Sequence, residues 1–330
     1  MLKRSPQVFP TRKARGLFET SLRLLERVPL IRDMTASQQE VSWSDVPLSI
    51  VIPLHPKDFW IASYAVKYAR RNVRHPVEEV IVISRRSDLI LDWVKKEGLR
   101  WVDEDSVLRF SKNEVEAQLP EHASLRSSWI FQQLLKFSVD DIVKTDAFLI
   151  LDADTLLLAP RVFKKDETIW MDYSHERNML YLKSYNYLLG EKASVFISFV
   201  CHHMFAEKQI LQALKKKIES QTGKLWDQAI INLASLDLWA LKEKETRPFN
   251  YFSEYETYGN FAQGWYSDVR TRYFRNHAAK EYDPNGASPD EYVAALPKFF
   301  RWASFHSYHG YKGAEVSGQI SAGEKQTLTE

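Results

Sequence analysis

Phe148-Leu-Ile-Leu-Asp-Ala-Asp154 joins four consecutive apolar residues to two carboxylates one residue apart. The apolar part reads as a buried strand. Such a strand exposes its polar end only at the sheet edge, where open α/β sheets bind their ligands. Asp152 and Asp154 are therefore expected to face a crevice together. Hard divalent cations such as Mn²⁺ or Mg²⁺ prefer oxygen ligands and tolerate partial coordination by protein. A diphosphate can complete the shell, and the metal then neutralises a leaving group. A D-x-D triplet arises by chance on the order of once per chain of this size. Asp103-Glu104-Asp105 is such a rival, but it follows the weaker run Leu99-Arg-Trp-Val102.

Working outward, Leu48-Ser-Ile-Val-Ile-Pro-Leu54 predicts a first buried strand, and Asp58–Arg71 a helix with Phe59, Ala62, Ala65, Val66 and Ala69 on one side. Val80–Ile83 reads as a second strand, 89–96 as a helix, and 99–102 as a third strand. This βαβαβ rhythm predicts a parallel sheet. Ser128–Val143 reads as a helix capped by Ser127 or Ser128. The second half is less regular. There, Val195–Val200 reads as a strand running into His202-His203-Met204. Glu207–Glu219 and Leu225–Leu236 read as helices, and Phe299–Tyr308 as a late aromatic strand or turn.

Composition bounds the function. Of 330 residues, 45% are hydrophobic and 27% charged, a globular balance. One cysteine, Cys201, excludes an internal disulfide and a Cys-based zinc site, and fits a reducing compartment. The net charge of +2 divides unevenly. Residues 1–33 carry eight Lys/Arg against three acids, giving +5 and leaving a body of −3. A nucleic-acid binder would spread positive charge over its body, so none is expected as partner. The leader, residues 1–46, holds an amphipathic basic helix over Ala14–Val28. It either docks on the body or lies on an anionic membrane surface. No apolar run approaches the ~20 residues that span a bilayer, and no signal peptide is visible. The expected location is cytoplasmic, with the inner face of the membrane as a peripheral site. The sequence after Gly310, chiefly 312–330, reads as a disordered tail. A glycine-rich phosphate loop and a G-x-S-x-G elbow are both missing.

The chain resembles nucleotide-sugar-dependent glycosyltransferases of the GT-A fold. The resemblance rests on Ser49-Ile-Val-Ile-Pro53, the Val80–Ser84 strand, and the helix Trp129-Ile-Phe-Gln-Gln-Leu-Leu-Lys136 leading to the D-x-D. It covers about residues 48–310. More narrowly, it is similar to a group of bacterial proteins associated with surface polysaccharide, through Ser-Phe-Val-Cys-His-His-Met and Ser-Glu-Tyr-Glu-Thr-Tyr-Gly. It implies an α/β, Rossmann-like, mixed and mainly parallel sheet flanked by helices. Residues 47–158 would form the nucleotide-sugar half and 159–311 a more irregular acceptor half. Asp154 with Asp152 would hold Mn²⁺ or Mg²⁺ and the donor diphosphate. Pro53, His55, Asp58 and Ser84 would line the nucleotide pocket, with Gln133 or Lys136 reaching the donor. The implied partners are a nucleotide-diphosphate-sugar, first among them a UDP-sugar, and a glycan or glycolipid acceptor.

Such enzymes often use a late His as a further metal ligand, and His306 and His309 are the candidates. In the cluster His202-His203, adjacent strand residues point oppositely, so at most one faces the site. An inverting transfer needs a carboxylate base. Glu256 and Glu254 are the candidates in Ser-Glu-Tyr-Glu-Thr-Tyr, and the inverting hexosyltransferase route is favoured. Ser253 with Glu256 is equally a helix-capping box. Asp227-Gln228 resembles the Asp-Gln pair of some retaining transferases, so stereochemistry stays open. Two other classes stand beside the transferase: a nucleotidyltransferase making an activated sugar, and a non-catalytic glycan- or partner-binding protein on a degenerate transferase fold.

Overall fold

The computed structural model describes residues 43–306, except 175, 195, 196, 237–249, 274 and 284. His309, most of the basic leader and the tail lie outside the described residues. Strand β1 (Leu48–Pro53) is followed by helix α1 (Phe59–Asn72), β2 (Val77–Ser84), α2 (Asp88–Lys96) and β3 (Arg100–Asp103). Helices α3 (Lys112–Gln118) and α4 (Ser127–Phe137) lead to β4 (Ala147–Leu151), with β5 (Thr155–Leu157) just after the D-x-D. Then come β6 (Lys164–Lys165), β7 (Thr168–Tyr173), α5 (Met179–Leu189), β8 (His203–Glu207), α6 (Lys208–Thr222) and α7 (Trp226–Asn232). The last elements are α8 (Glu254–Trp265), β9 (Val269–Tyr273), β10 (Arg275–Ala278), α9 (Pro289–Ala294) and β11 (Phe300–Ser304).

The main sheet has the order β3-β2-β1-β4-β8. Its first four strands run parallel, and β8 pairs antiparallel with β4. This is the mixed, mainly parallel α/β sheet expected. Every residue of β1 and β4 is buried, as continuous apolar runs require when helices cover both faces. Helix α1 buries Ile61, Ala62, Ala65, Val66 and Ala69, the face set by the 3.6-residue period. Among the described residues two small sheets accompany it, β10-β11-β5 and β6-β7-β9.

The differences from the sequence reading have physical causes. The third strand begins one residue later, and α4 ends at Phe137 rather than Val143, with a short 3₁₀ turn after it. Its N-cap is Arg126. Ser127 lies inside the first turn and donates to Glu116 at 3.0 Å instead of capping. The strand expected at Val195–Val200 is absent among its described residues, 197–200, which make only an isolated bridge, Ser174 with Ser198. Their apolarity reports burial, and the ladder starts later, at His203.

Candidate active site at the D-x-D turn

Two antiparallel pairings flank the D-x-D and determine what meets it. Before it, β4 pairs with β8 so that Leu151 lies opposite His203. The Asp152 amide continues that ladder by donating to the His202 carbonyl at 3.0 Å. After it, β5 pairs with β11 so that Thr155 lies opposite Ser304, and the Phe305 amide donates to the Asp154 carbonyl at 2.8 Å. His202 is thereby brought to Asp152 and His306 to Asp154. His202 takes the left-handed region, φ 59°, as its backbone turns into β8. The His202 and His306 rings lie with centroids 4.5 Å apart, tilted 58° to each other.

Asp152 Oδ1 accepts from Lys136 Nζ at 2.6 Å and from the Tyr255 hydroxyl at 2.7 Å. Its Oδ2 lies 3.3 Å from His202 Nδ1, whose Nε2 is 3.3 Å from Glu176. Lys136 also donates to Glu254 at 2.7 Å and to the Tyr255 hydroxyl at 3.0 Å. Burial alone would raise the Asp152 pKa, but Lys136 and His202 hold it well below the usual carboxylate range. Burial lowers the His202 pKa, yet bonds to Asp152 and Glu176 outweigh it and lift the value to about 10. Asp58, at the start of α1, is pushed up to about 7 by burial and then by Asp154, with Asp152 adding to this and Lys57 opposing it.

Asp154 Oδ2 lies 2.9 Å from His306 Nδ1, and its Oδ1 is 3.4 Å from the Thr155 hydroxyl. Among the described residues no group of three or more His, Cys, Asp or Glu side chains is arranged to hold a metal ion. A small hard ion that keeps waters and takes substrate phosphates needs only one or two protein ligands. Asp154 and His306, hydrogen-bonded at 2.9 Å, are an oxygen and a nitrogen donor of the kinds such an ion accepts.

The other expected residues fall into three groups. Lys136 and Glu254 join Asp152. Pro53 closes β1 inside the core, His55 is exposed and accepts from the Lys57 amide at 3.2 Å, and Asp58 senses both carboxylates of the D-x-D. Ser84 is fully buried, and its hydroxyl is taken up by the Arg85 carbonyl and Trp101 Nε1, both at 3.0 Å. Gln133 is buried on α4. Glu256 does not join the cluster: on helix α8 it diverges from Glu254. It is fully buried, accepting from Ser198 at 2.5 Å and Asn260 at 3.1 Å. Its amide donates to Ser253 Oγ at 3.3 Å, so Ser253 caps the helix. Asp227 is gripped by Arg109 through two bonds of 2.5 and 2.6 Å, while Gln228 bonds Gln118 and Asn232. The rival triplet is structural too: Asp103 caps a 3₁₀ turn and Glu104 pairs with Arg85 at 2.9 Å. Sequence reasoning missed Glu176, which carries no motif, and Tyr255, which lies in Ser-Glu-Tyr-Glu-Thr-Tyr-Gly between the two glutamates that drew attention. His202 was signalled only as one member of a pair; the other, His203, points away to Asp172 at 2.9 Å.

A family model described as a family of unknown function, DUF6492, matches residues 74–309, and the chain belongs to that family. No curated protein matches it by sequence. Among solved structures, the galactosyltransferase LgtC in complex with donor and acceptor sugar analogues is similar at 13% identity and TM-score 0.43, covering 85% of this chain and 100% of that one. Mouse xyloside xylosyltransferase 1 is similar at 9% identity and TM-score 0.39, covering 82% and 99%. The glycosyltransferase GlyE of Streptococcus pneumoniae TIGR4 is similar at 10% identity and TM-score 0.36, covering 84% and 57%.

Proposed function

We propose that this member of DUF6492 is a metal-dependent glycosyltransferase. It moves a sugar from a nucleotide-diphosphate donor, a UDP-sugar first among them, to a glycan or glycolipid acceptor in bacterial surface polysaccharide or lipopolysaccharide synthesis. One observation carries the reading. Asp154 and His306, 152 residues apart in sequence, meet at 2.9 Å beside Asp152 at the carboxyl edge of the parallel strands, where open α/β sheets take their ligands.

Asp154 and His306 would hold Mn²⁺ or Mg²⁺, and the bound ion would neutralise charge on the departing nucleotide diphosphate. The chain's own residues supply the rest. His202 links Asp152 to Glu176 beside the D-x-D, 3.3 Å from each. Asp58 stands within the same field at the start of α1. For an inverting transfer the acceptor proton needs a carboxylate. Glu256 is sealed by Ser198 and Asn260 and Glu254 is bound to Lys136. Glu176, with a side chain 54% exposed and 3.3 Å from His202, is the carboxylate we assign to that step. The basic leader, residues 1–33, would hold the enzyme to an anionic inner-membrane surface. Deleting residues 1–40 should then cut liposome binding and leave donor binding intact.

The deciding experiment is a thermal-shift screen of UDP-, GDP-, CMP- and dTDP-sugars with and without Mn²⁺. A donor at 100 times its Kd should add about 2.7 kcal/mol of stability, seen only with metal and lost in Asp154→Ala and His306→Ala. Stabilisation by no donor would sink the transferase reading in favour of a binding protein.

A further inference from the structure

Lys136 stands where a cation would ordinarily be assigned to a donor phosphate, but its donors are already committed. An ammonium has three N–H groups. They have three acceptors inside the protein: Asp152 Oδ1 at 2.6 Å, Glu254 Oε1 at 2.7 Å and the Tyr255 hydroxyl at 3.0 Å. The side chain is 2% exposed, and Nζ lies 4.6 Å from the Tyr255 ring centroid. A phosphate could reach it only by displacing one of these partners, and two of them are carboxylates that would lose their cation.

The same bonds split the two D-x-D carboxylates. Asp152 Oδ1 accepts from both Lys136 and Tyr255, which fills its two lone-pair positions. Its Oδ2 faces His202. Asp154 has no Lys or Arg ion pair among the described residues, and its Oδ2 faces His306.

We infer that Lys136 is a positioning residue. With Glu254 and Tyr255 it fixes Asp152 Oδ1, balances its charge, and keeps that oxygen out of the coordination of a divalent ion. Asp154 and His306 are left to hold the ion. The inference rests on the metal-dependent reading above and narrows it: the two aspartates of the motif have different jobs, and Lys136 acts through one of them without touching the donor.

The test measures Mn²⁺ binding by electron paramagnetic resonance on the full chain at one pH, with Mn²⁺ alone and with Mn²⁺ plus UDP. Asp154→Asn and Asp152→Asn each remove one negative charge, so the comparison is between them: Asp154→Asn should weaken Mn²⁺ by about tenfold or more beyond Asp152→Asn, because it alone also removes a ligand. The double variant K136M/E254Q removes one positive and one negative charge, so a uniform electrostatic effect predicts no change. The variant keeps the Tyr255 bond to Asp152 Oδ1 but opens the lone-pair position that Lys136 fills, which should tighten Mn²⁺ by about threefold or more, whereas a merely structural role for Lys136 would weaken binding. The inference is overturned if Asp152→Asn is as damaging as Asp154→Asn, or if the folded double variant binds Mn²⁺ no more tightly than wild type. If circular dichroism shows the double variant unfolded, the two single variants decide. Wild-type protein that binds neither Mn²⁺ nor Mn²⁺ with UDP would overturn the function and the inference together. Binding with the wrong order of variants overturns the inference alone.

Discussion

Glu256→Gln should change how stability depends on pH. The Glu256 carboxyl is fully buried on α8, and burial pushes its pKa from 4.5 up to about 7 against the pull of Ser198, the Phe199 amide, Arg177 and Asn260. An acid with a raised folded pKa keeps its proton in the folded state while the unfolded chain releases it. Below pH 4.5 both states are protonated and the group contributes nothing. Between 4.5 and about 7, folding costs about 1.4 kcal/mol more for each pH unit. Above that window the cost levels off at roughly 3 kcal/mol. Gln cannot ionise. Its amide places hydrogens where Oε2 accepts from Asn260, which costs about 1 kcal/mol at every pH. Urea unfolding of both proteins should be followed from pH 4 to pH 8. The stability of wild type minus that of Glu256→Gln should fall by roughly 3 kcal/mol as pH rises; other titrating groups cancel in the difference. A difference flat within about 0.5 kcal/mol would refute the reasoning. A difference rising with pH would mean that the carboxylate is ionised and stabilised by its neighbours.

Gly259 sits inside α8 with Phe199 packed on it, and a Cβ there would lie 2.2 Å from Phe199 Cγ. Gly259→Ala should destabilise by about 1–3 kcal/mol, despite the roughly 1 kcal/mol that alanine gains in a helix. A stabilised variant in thermal unfolding would contradict this packing. Asp227→Asn breaks the paired bonds to Arg109, whose side chain is 44% exposed, so the expected loss is only about 1 kcal/mol. Nucleotide binding should be unchanged; its loss in calorimetry would return Asp227 to the active site. Glu176→Gln should lower kcat for transfer and leave the donor Kd within about twofold, and an unchanged kcat would remove Glu176 from the proton-transfer step.

The central sheet was legible because β1, β2 and β4 are short apolar runs ended by polar residues, a pattern that burial on both faces imposes. The D-x-D was legible for the same reason: a strand's end fixes where its next residues face. His306 and His309 were named as further ligands beside the D-x-D through the family resemblance, but the sequence could not choose the contact between His306 and Asp154, because the pairing of β11 with β5 that makes it is a long-range choice. The Val195–Val200 run misled because buried coil and buried strand have the same apolarity. Glu254 and Glu256 share a face only in extended backbone. Ser253 caps a helix there, which turns one carboxylate to Lys136 and the other to Ser198. Glu176 and Tyr255 were not singled out because their neighbours at the site, His202 for one and Lys136 and Asp152 for the other, are distant in sequence and are supplied by the fold.

The β5–β11 pairing also sets a clock on the protein's biosynthesis. The chain leaves the ribosome from its N-terminus, and His306 follows Asp154 by 152 residues. At about 5–20 residues per second that is a wait of about 8 to 30 s. During that time the main-sheet strands β1 to β4, all encoded before Asp152, can already be made, but the site cannot yet exist. A nascent or prematurely terminated chain therefore carries the D-x-D without the imidazole that completes it. On the proposed metal-dependent reading, the capacity to capture an ion at this edge would arrive only with His306, just past the last described strand.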